Sequence, residues 1–375
     1  MTDSLLCETA TVRLFTTEEP LVLASGERLW EVDVAYETYG TLNDDASNAI
    51  FVCHALTGDA HAAGLRAGDR KPGWWDNLIG PGKAVDTNRW FVACANILGG
   101  CRGTTGPSSI NPATGEPYGL SFPVLAMSDF VTVHRRLSRH LGISRWAVLL
   151  GGSLGGMQVL QWTLSYPEDC DNAIIIAASS RLTAQNIAFS AVGRHAIMRD
   201  PGFRGGRFQS EGTTPARGLS VARMLAHITY LSEEAFSEKF GRSAQSGTLD
   251  PGFGIDFAVE SYLEHQGEAF LARFDALSYL YLTRVMDYFD PFAADDAFDR
   301  LQASPVSFLV MSFDSDWRFD TEHSRRIVRH LEHARLPVSF RELHSPWGHD
   351  SFLLDLPDYH ATIQAFLDRA AGDPP

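Results

Sequence analysis

The chain has 375 residues, 45% hydrophobic and 21% charged, the balance of a globular protein long enough for one large core with an insertion. Its formal net charge of −15 repels phosphate backbones and anionic lipid, so neither nucleic acid nor a membrane surface is an expected partner. The five cysteines, Cys7, Cys53, Cys94, Cys101 and Cys170, have no CxxC spacing; this excludes a disulfide framework and a zinc site and predicts reduced thiols in a cytoplasm.

Residues 1–15 are acidic and interrupted, without the basic start and apolar stretch of a signal peptide. The apolar runs are strand length, far too short to span a bilayer. Residues 29–39 alternate apolar and polar and predict an antiparallel edge hairpin. Short, near-continuously apolar runs follow at 49–53, 90–95, 147–150 and 173–177, and again at 306–311 and 338–343. Helical patterns separate them, which predicts a mainly parallel sheet buried on both faces. From about 181 to 294 strand-like runs vanish and helical patterns dominate, as at 219–231 and 257–274, broken by the Gly-, Arg- and Pro-rich stretch 200–217. The expected organisation is an α/β core of residues 1–180 and 295–375, with a helical lid, 181–294, inserted into it.

The strongest local signal is Gly151-Gly152-Ser153-Leu154-Gly155-Gly156, between the strand ending at Leu150 and an apolar helical pattern over 157–166. That is the strand–turn–helix context of a G-x-S-x-G nucleophile elbow. The turn is so tight that its flanks must lack bulk, and the serine is forced into a strained conformation that lifts its hydroxyl above the sheet. The competing reading, a glycine-rich turn of a nucleotide-binding fold, lacks the GxGxxG or GxxxxGK[ST] that would support it. A serine hydroxyl needs a base. His349, in the loop after the last predicted strand, has the position expected of one, and His344 at the strand end competes with it. The acid that orients the base belongs after the preceding strand, where Asp314, Asp316 and Asp320 all qualify by spacing, Asp320 also suiting a helix cap. Acyl chemistry requires oxyanion donors; the backbone N–H groups of Leu154, after the serine, and of Leu56, after the strand 49–53, are the candidates.

Further segments extend the pattern: His54-Ala55-Leu56-Thr57-Gly58, Lys71-Pro72-Gly73-Trp74-Trp75-Asp76, Asn96-Ile97-Leu98-Gly99-Gly100-Cys101, Gly106-Pro107-Ser108-Ser109-Ile110-Asn111-Pro112, Ala222-Arg223-Met224, Thr229-Tyr230-Leu231-Ser232 and Asp287-Tyr288-Phe289-Asp290. Over nearly its whole length the chain resembles the MetX family of homoserine O-acyltransferases. The resemblance implies an α/β-hydrolase fold, a cytoplasmic homodimer, no metal or other cofactor, and a triad of Ser153, Asp316 and His349. It also implies that Arg223 binds the substrate, that Asp350 holds the substrate amino group and that Tyr230 lines the same pocket. Family members take acetyl-CoA or succinyl-CoA. Acetyl users usually carry leucine two residues after the acid, whereas Arg318 stands here, as in members that resemble homoserine O-succinyltransferases. A guanidinium can bind the free carboxylate of a succinyl donor bidentately. The expected small-molecule partners are therefore L-homoserine and succinyl-CoA. Transfer from acetyl-CoA, transfer to serine, a serine esterase or thioesterase and a non-catalytic binding protein remain as alternatives, as does a solvent-facing Arg318 paired with Asp314 or Asp320.

Overall fold

The computed structural model describes residues 6–372. The strands β1 (Ala10–Phe15), β2 (Val32–Tyr39), β3 (Ala49–Cys53), β4 (Phe91–Ala95), β5 (Trp146–Gly152), β6 (Cys170–Ile176), β7 (Ser307–Phe313) and β8 (Val338–Leu343) form one sheet of order β8-β7-β6-β5-β3-β4-β2-β1. Pairing is parallel from β8 to β4 and antiparallel beyond it. β3, β4 and β5 are buried at every position, because helices cover both faces, and this is why they read as continuous apolar runs. One expectation is corrected. β2 does not lie at the edge: it is the penultimate strand, and the edge is β1, whose half-exposed Ala-Thr-Val-Arg pattern carries little apolar signal. Leu29 belongs to a separate small ladder with Leu21.

The helices α1 (Met127–His140) and α2 (Leu154–Ser165) flank the centre of the sheet. The segment 181–294 adds no strand to it and instead holds α3 (Ala184–Arg199), α4 (Ala216–Tyr230), α5 (Glu233–Lys239), α6 (Ala258–Leu271) and α7 (Ala276–Tyr288). Thr183, Ser232 and Asp275 cap the first turns of α3, α5 and α7 with their side-chain oxygens. α4 packs against α3 and α6, and a buried ion pair, Arg194 to Asp287 at 2.7 Å, joins α3 to α7. A short α8 (Ala297–Gln302) returns the chain to the sheet, where α9 (Thr321–His333) and α10 (Pro357–Ala370) complete the cover. No helix among the described residues is long and apolar enough to cross a membrane.

Between β5 and α2 the chain turns at Ser153, which has φ 56° and ψ −122°. An L-residue enters that region only under strain. Three glycines permit the turn. A Cβ on Gly151 would sit 2.4 Å from the Gly155 carbonyl, one on Gly152 2.6 Å from the Phe352 ring, and one on Gly155 2.0 Å from the Cys53 carbonyl. The Ser153 N–H donates to Ile176 O at 2.9 Å, which fastens the corner to the end of β6.

The antiparallel side is knotted around Glu37. Its carboxylate accepts from Thr9 Oγ1 (2.7 Å), Tyr39 OH (2.8 Å) and Arg66 Nε (2.6 Å), and His61 Nδ1 lies at 3.0 Å. Burial alone would raise its pKa, but these hydrogen bonds outweigh it and hold the group down to about 2. Cys7 completes a Cys–Glu–His grouping of metal-ligand type. The Arg66 guanidinium occupies the carboxylate, burial and Glu37 push the Cys7 thiol up to about 12, and the hydrogen bonds tie these segments together.

Two outcomes are expected. A carboxylate whose folded pKa is depressed stabilises the protein above its unfolded pKa and loses that contribution as pH falls through the folded value. Unfolding titrations against pH will show the native chain losing on the order of 3 kcal/mol from this group between about pH 4.5 and 2, a loss that Glu37→Gln lacks. At the corner, Ser153→Gly is expected to melt higher than Ser153→Ala. Both remove the hydroxyl, but only glycine relieves the positive φ, by ~1 kcal/mol after its greater unfolded-state entropy is counted.

Candidate active site

The end of β7 leads into a turn that sorts the three aspartates. Asp314 faces outward, where it accepts from His344 Nδ1 at 2.7 Å and Ser345 N at 3.0 Å. Asp320 caps α9 through Glu322 N. Asp316, 2% exposed, turns inward. Its Oδ1 accepts the backbone N–H groups of Arg318 (2.9 Å) and Phe319 (2.8 Å), which leaves Oδ2 directed at His349 Nδ1, 2.6 Å away. His344 is thereby removed from the competition: it is an exposed partner of Asp314.

His349, 3% exposed, sits in the turn after β8 with Phe319, Phe352 and Tyr230 around its ring. Its Nε2 lies 2.8 Å from Ser153 Oγ. Asp316, His349 and Ser153 therefore form one buried chain of hydrogen bonds, from three segments up to 196 residues apart. With Nδ1 donating to the carboxylate, Nε2 is the basic nitrogen facing the hydroxyl. Gly348 makes the approach possible: it has φ +72°, and a Cβ there would meet Ser232 N at 2.6 Å and Tyr230 O at 2.7 Å. Ser153 is 6% exposed and opens onto a cleft lined also by Leu56, Tyr230, Arg318, His349, Asp350 and Phe352.

The backbone N–H groups of Leu56 and Leu154 have no hydrogen-bond partner among the described residues. Leu154 opens α2, where the first amides have no acceptor within the helix. Leu56 follows β3 in a loop held by groups that sequence reading had not singled out. Ile97 N donates to His54 Nε2 at 3.0 Å, which assigns the proton to Nδ1, bonded to Ala55 O at 2.7 Å. Burial lowers the His54 pKa and keeps the ring neutral. Buried Gln158 donates to His54 O at 3.0 Å and to Leu154 O at 3.3 Å, and His134 holds its oxygen at 2.9 Å. The only advance signal was the spacing: Gln158 stands one turn past Leu154, a polar residue between Met157 and Val159 in the buried first half of the helix.

Three charged groups surround the Ser–His pair. Arg223 on α4 is 8% exposed, packs its guanidinium over Phe270 (4.7 Å) and Tyr230 (5.7 Å), and keeps a buried Nη1 with no partner among the described residues. Arg318 is 6% exposed and pairs with neither Asp314 nor Asp320; its Nη1 donates to Thr229 Oγ1 at 2.8 Å and its head lies 5.3 Å from the Tyr230 ring. Asp350 is half-buried and has no side-chain partner among the described residues. Burial pushes its carboxyl up, opposed by the nearby His349 and Arg223. Both guanidinium groups lie near the Tyr230 ring. A neutral molecule would leave these charges uncompensated in a low-dielectric cleft, whereas one with two carboxylates and an ammonium would match them.

A family model described as the alpha/beta hydrolase fold matches residues 48–356. A protein of Nocardioides sp. named homoserine O-succinyltransferase is 56% identical over 98% of this chain and 100% of its own length. One of the same name from Magnetococcus marinus is 56% identical over 96% of this chain and 93% of its own. Among solved structures, homoserine O-acetyltransferase from Bacillus anthracis superposes with a TM-score of 0.89 at 27% identity, covering 97% of this chain and 98% of that one. The esterase E22 superposes with a TM-score of 0.86 at 28% identity, over 96% of this chain and 100% of that one. The hydrogen-bonded serine corner, the sheet order and near-full-length identity to succinyltransferase-named relatives converge on one assignment: the chain belongs to the MetX family of homoserine O-acyltransferases, within the α/β-hydrolase fold.

Proposed function

We propose that this enzyme transfers the succinyl group of succinyl-CoA to the hydroxyl of L-homoserine, a step of methionine biosynthesis, through an acyl-Ser153 intermediate. The observation that carries the reading is the pair of buried guanidinium groups, Arg223 and Arg318, that have no carboxylate partner among the described residues and lie near the Tyr230 ring beside the Ser153–His349 bond. His349 takes the Ser153 proton while Oγ attacks the thioester carbonyl. The N–H groups of Leu56 and Leu154 receive the oxyanion, each worth on the order of 3 kcal/mol in the transition state. The tetrahedral adduct expels the CoA thiolate, which takes the proton from His349 and leaves an ester on Ser153. Homoserine then enters with its carboxylate on Arg223 and its ammonium on Asp350. His349 deprotonates its hydroxyl, the alkoxide attacks the ester, and Ser153 leaves with the proton returned. Asp316 holds the imidazole tautomer and stabilises its charged form.

Each step exchanges a proton and an acyl group among side chains and substrates, so the mechanism uses no metal or cofactor. Segment 181–294 acts as the lid that limits water, and the acceptor competes with solvent through proximity, a term of roughly 7–11 kcal/mol. The enzyme acts in the cytoplasm as a homodimer. The exposed Val192 on α3 and the exposed Val221 and Ile228 on α4 support a self-association face on the lid. Sedimentation velocity tests it.

Three measurements address the reading. With succinyl-CoA alone, mass spectrometry is expected to find one succinyl group on Ser153, and CoA release is expected to become multiple-turnover only when homoserine is added. A hydrolase would release CoA continuously without it. Arg318→Leu is expected to lower kcat/KM for succinyl-CoA by roughly a hundredfold, with acetyl-CoA turnover held or raised; an unchanged donor ratio removes Arg318 from donor choice. Because the Asp350 carboxyl is raised by burial, it protonates at higher pH than an ordinary aspartate. The KM for homoserine is therefore expected to rise as pH falls through that shifted pKa, and Asp350→Asn to remove this limb of the profile.

A further inference from the structure

The donor-recognising guanidinium is aimed by the lid. Arg318 is fixed at its base by the core: its N–H is bound to Asp316 Oδ1. Its head is fixed from the other side by the last turn of α4. Thr229, fully buried, donates its own hydroxyl proton to Ala226 O at 2.8 Å. With that proton committed, only lone pairs of Oγ1 remain for Arg318 Nη1, 2.8 Å away. The next residue, Tyr230, sets its ring 5.3 Å from the same guanidinium, and Phe319 sets another at 5.7 Å. One edge of the fork is thus occupied and both rings restrict its swing, while Arg318 still lines the cleft that holds Ser153.

The end of α4 is itself fastened to the acid and base turns. Trp317 Nε1 donates to Leu231 O at 2.8 Å, and the Ser232 hydroxyl bonds Pro346 O. A shift of α4 would therefore move the Thr229 acceptor relative to Arg318.

We propose that Thr229 is a specificity-positioning residue: its hydroxyl oxygen orients Arg318 toward the distal carboxylate of the acyl donor. The inference rests on the succinyl reading above. Losing a hydrogen bond to a charged group while the guanidinium stays buried frees the fork to rotate, so the cost falls on the donor that uses its carboxylate.

The test compares succinyl-CoA with acetyl-CoA, at fixed homoserine, for the native enzyme, Thr229→Val and Thr229→Ser. Valine keeps the volume and removes the acceptor; serine keeps the acceptor. Thr229→Val is expected to lower the succinyl-to-acetyl ratio of kcat/KM about tenfold, mainly through the KM for succinyl-CoA, and Thr229→Ser to restore it. A merely structural role would depress both donors together and leave the ratio in place, which overturns the proposal. So would a serine variant no better than valine. A native enzyme indifferent to the distal carboxylate overturns the succinyl reading and this inference with it. A succinyl-preferring native enzyme whose ratio survives Thr229→Val overturns this inference alone.

Discussion

Gly155, in the first turn of α2, passes so near the end of β3 that a methyl group on its Cα would lie 2.0 Å from the Cys53 carbonyl oxygen. That approach sets the rest of the site. It brings the start of α2 against the end of β3 and the His54 carbonyl, where the loop that carries Leu56 begins. It also accompanies the positive-φ corner at Ser153 that presents a hydroxyl to His349. Gln158, one turn further along α2, bonds the carbonyls of His54 and Leu154 and ties together the two segments that glycine allowed to meet. Strain at Ser153 is tolerated because the surroundings over-determine it: its N–H is held by β6, its flanks by glycine packing, and its side chain by the imidazole.

The second constraint is electrostatic. Arg223 and Arg318 are buried in a chain that is strongly acidic overall, yet neither takes a carboxylate partner among the described residues. The Tyr230 ring lies near both, a modest attraction that does not neutralise them. Holding two such charges ready costs stability that a structural role would not repay. On the proposed reading the arrangement is preorganisation: the charges would stand ready for the ligand carboxylates, so little reorganisation would be needed at the moment of reaction.

The parts of this design that were legible in the sequence are those imposed by local sterics and topology. The glycines around Ser153, the buried runs of β3 to β7 and the chain order serine, acid, histidine each follow from a backbone requirement. Spacing alone could not choose among Asp314, Asp316 and Asp320, because the choice depends on which carboxylate its own turn points inward. The Arg318 and Phe319 amides make it Asp316. Edge strand β1 was missed because an exposed edge has no need of an apolar alternation. His54, Gln158, His134 and Thr229 act through hydrogen bonds to segments far away in sequence, and one sequence contains no signal for such pairings beyond the presence of a polar residue in an apolar stretch.

A hydrolase and an acyltransferase can share everything up to the acyl-enzyme, as the similarity to an esterase fold illustrates. What separates them must act after the first half-reaction, and here it would have to come from α4. That helix carries Arg223, proposed to hold the acceptor, Thr229, which bonds the Arg318 guanidinium, and Tyr230, which packs near both arginines and His349. Its C-terminal end is pinned to the Trp317 and Pro346 turns, which carry the acid and the base. A displacement that admitted bulk water between α4 and Ser153 would therefore also disturb the groups that activate it. Exclusion of solvent and assembly of the reactive geometry become one condition instead of two. On the proposed mechanism, an acyl-Ser153 would be reactive chiefly when α4 is in place.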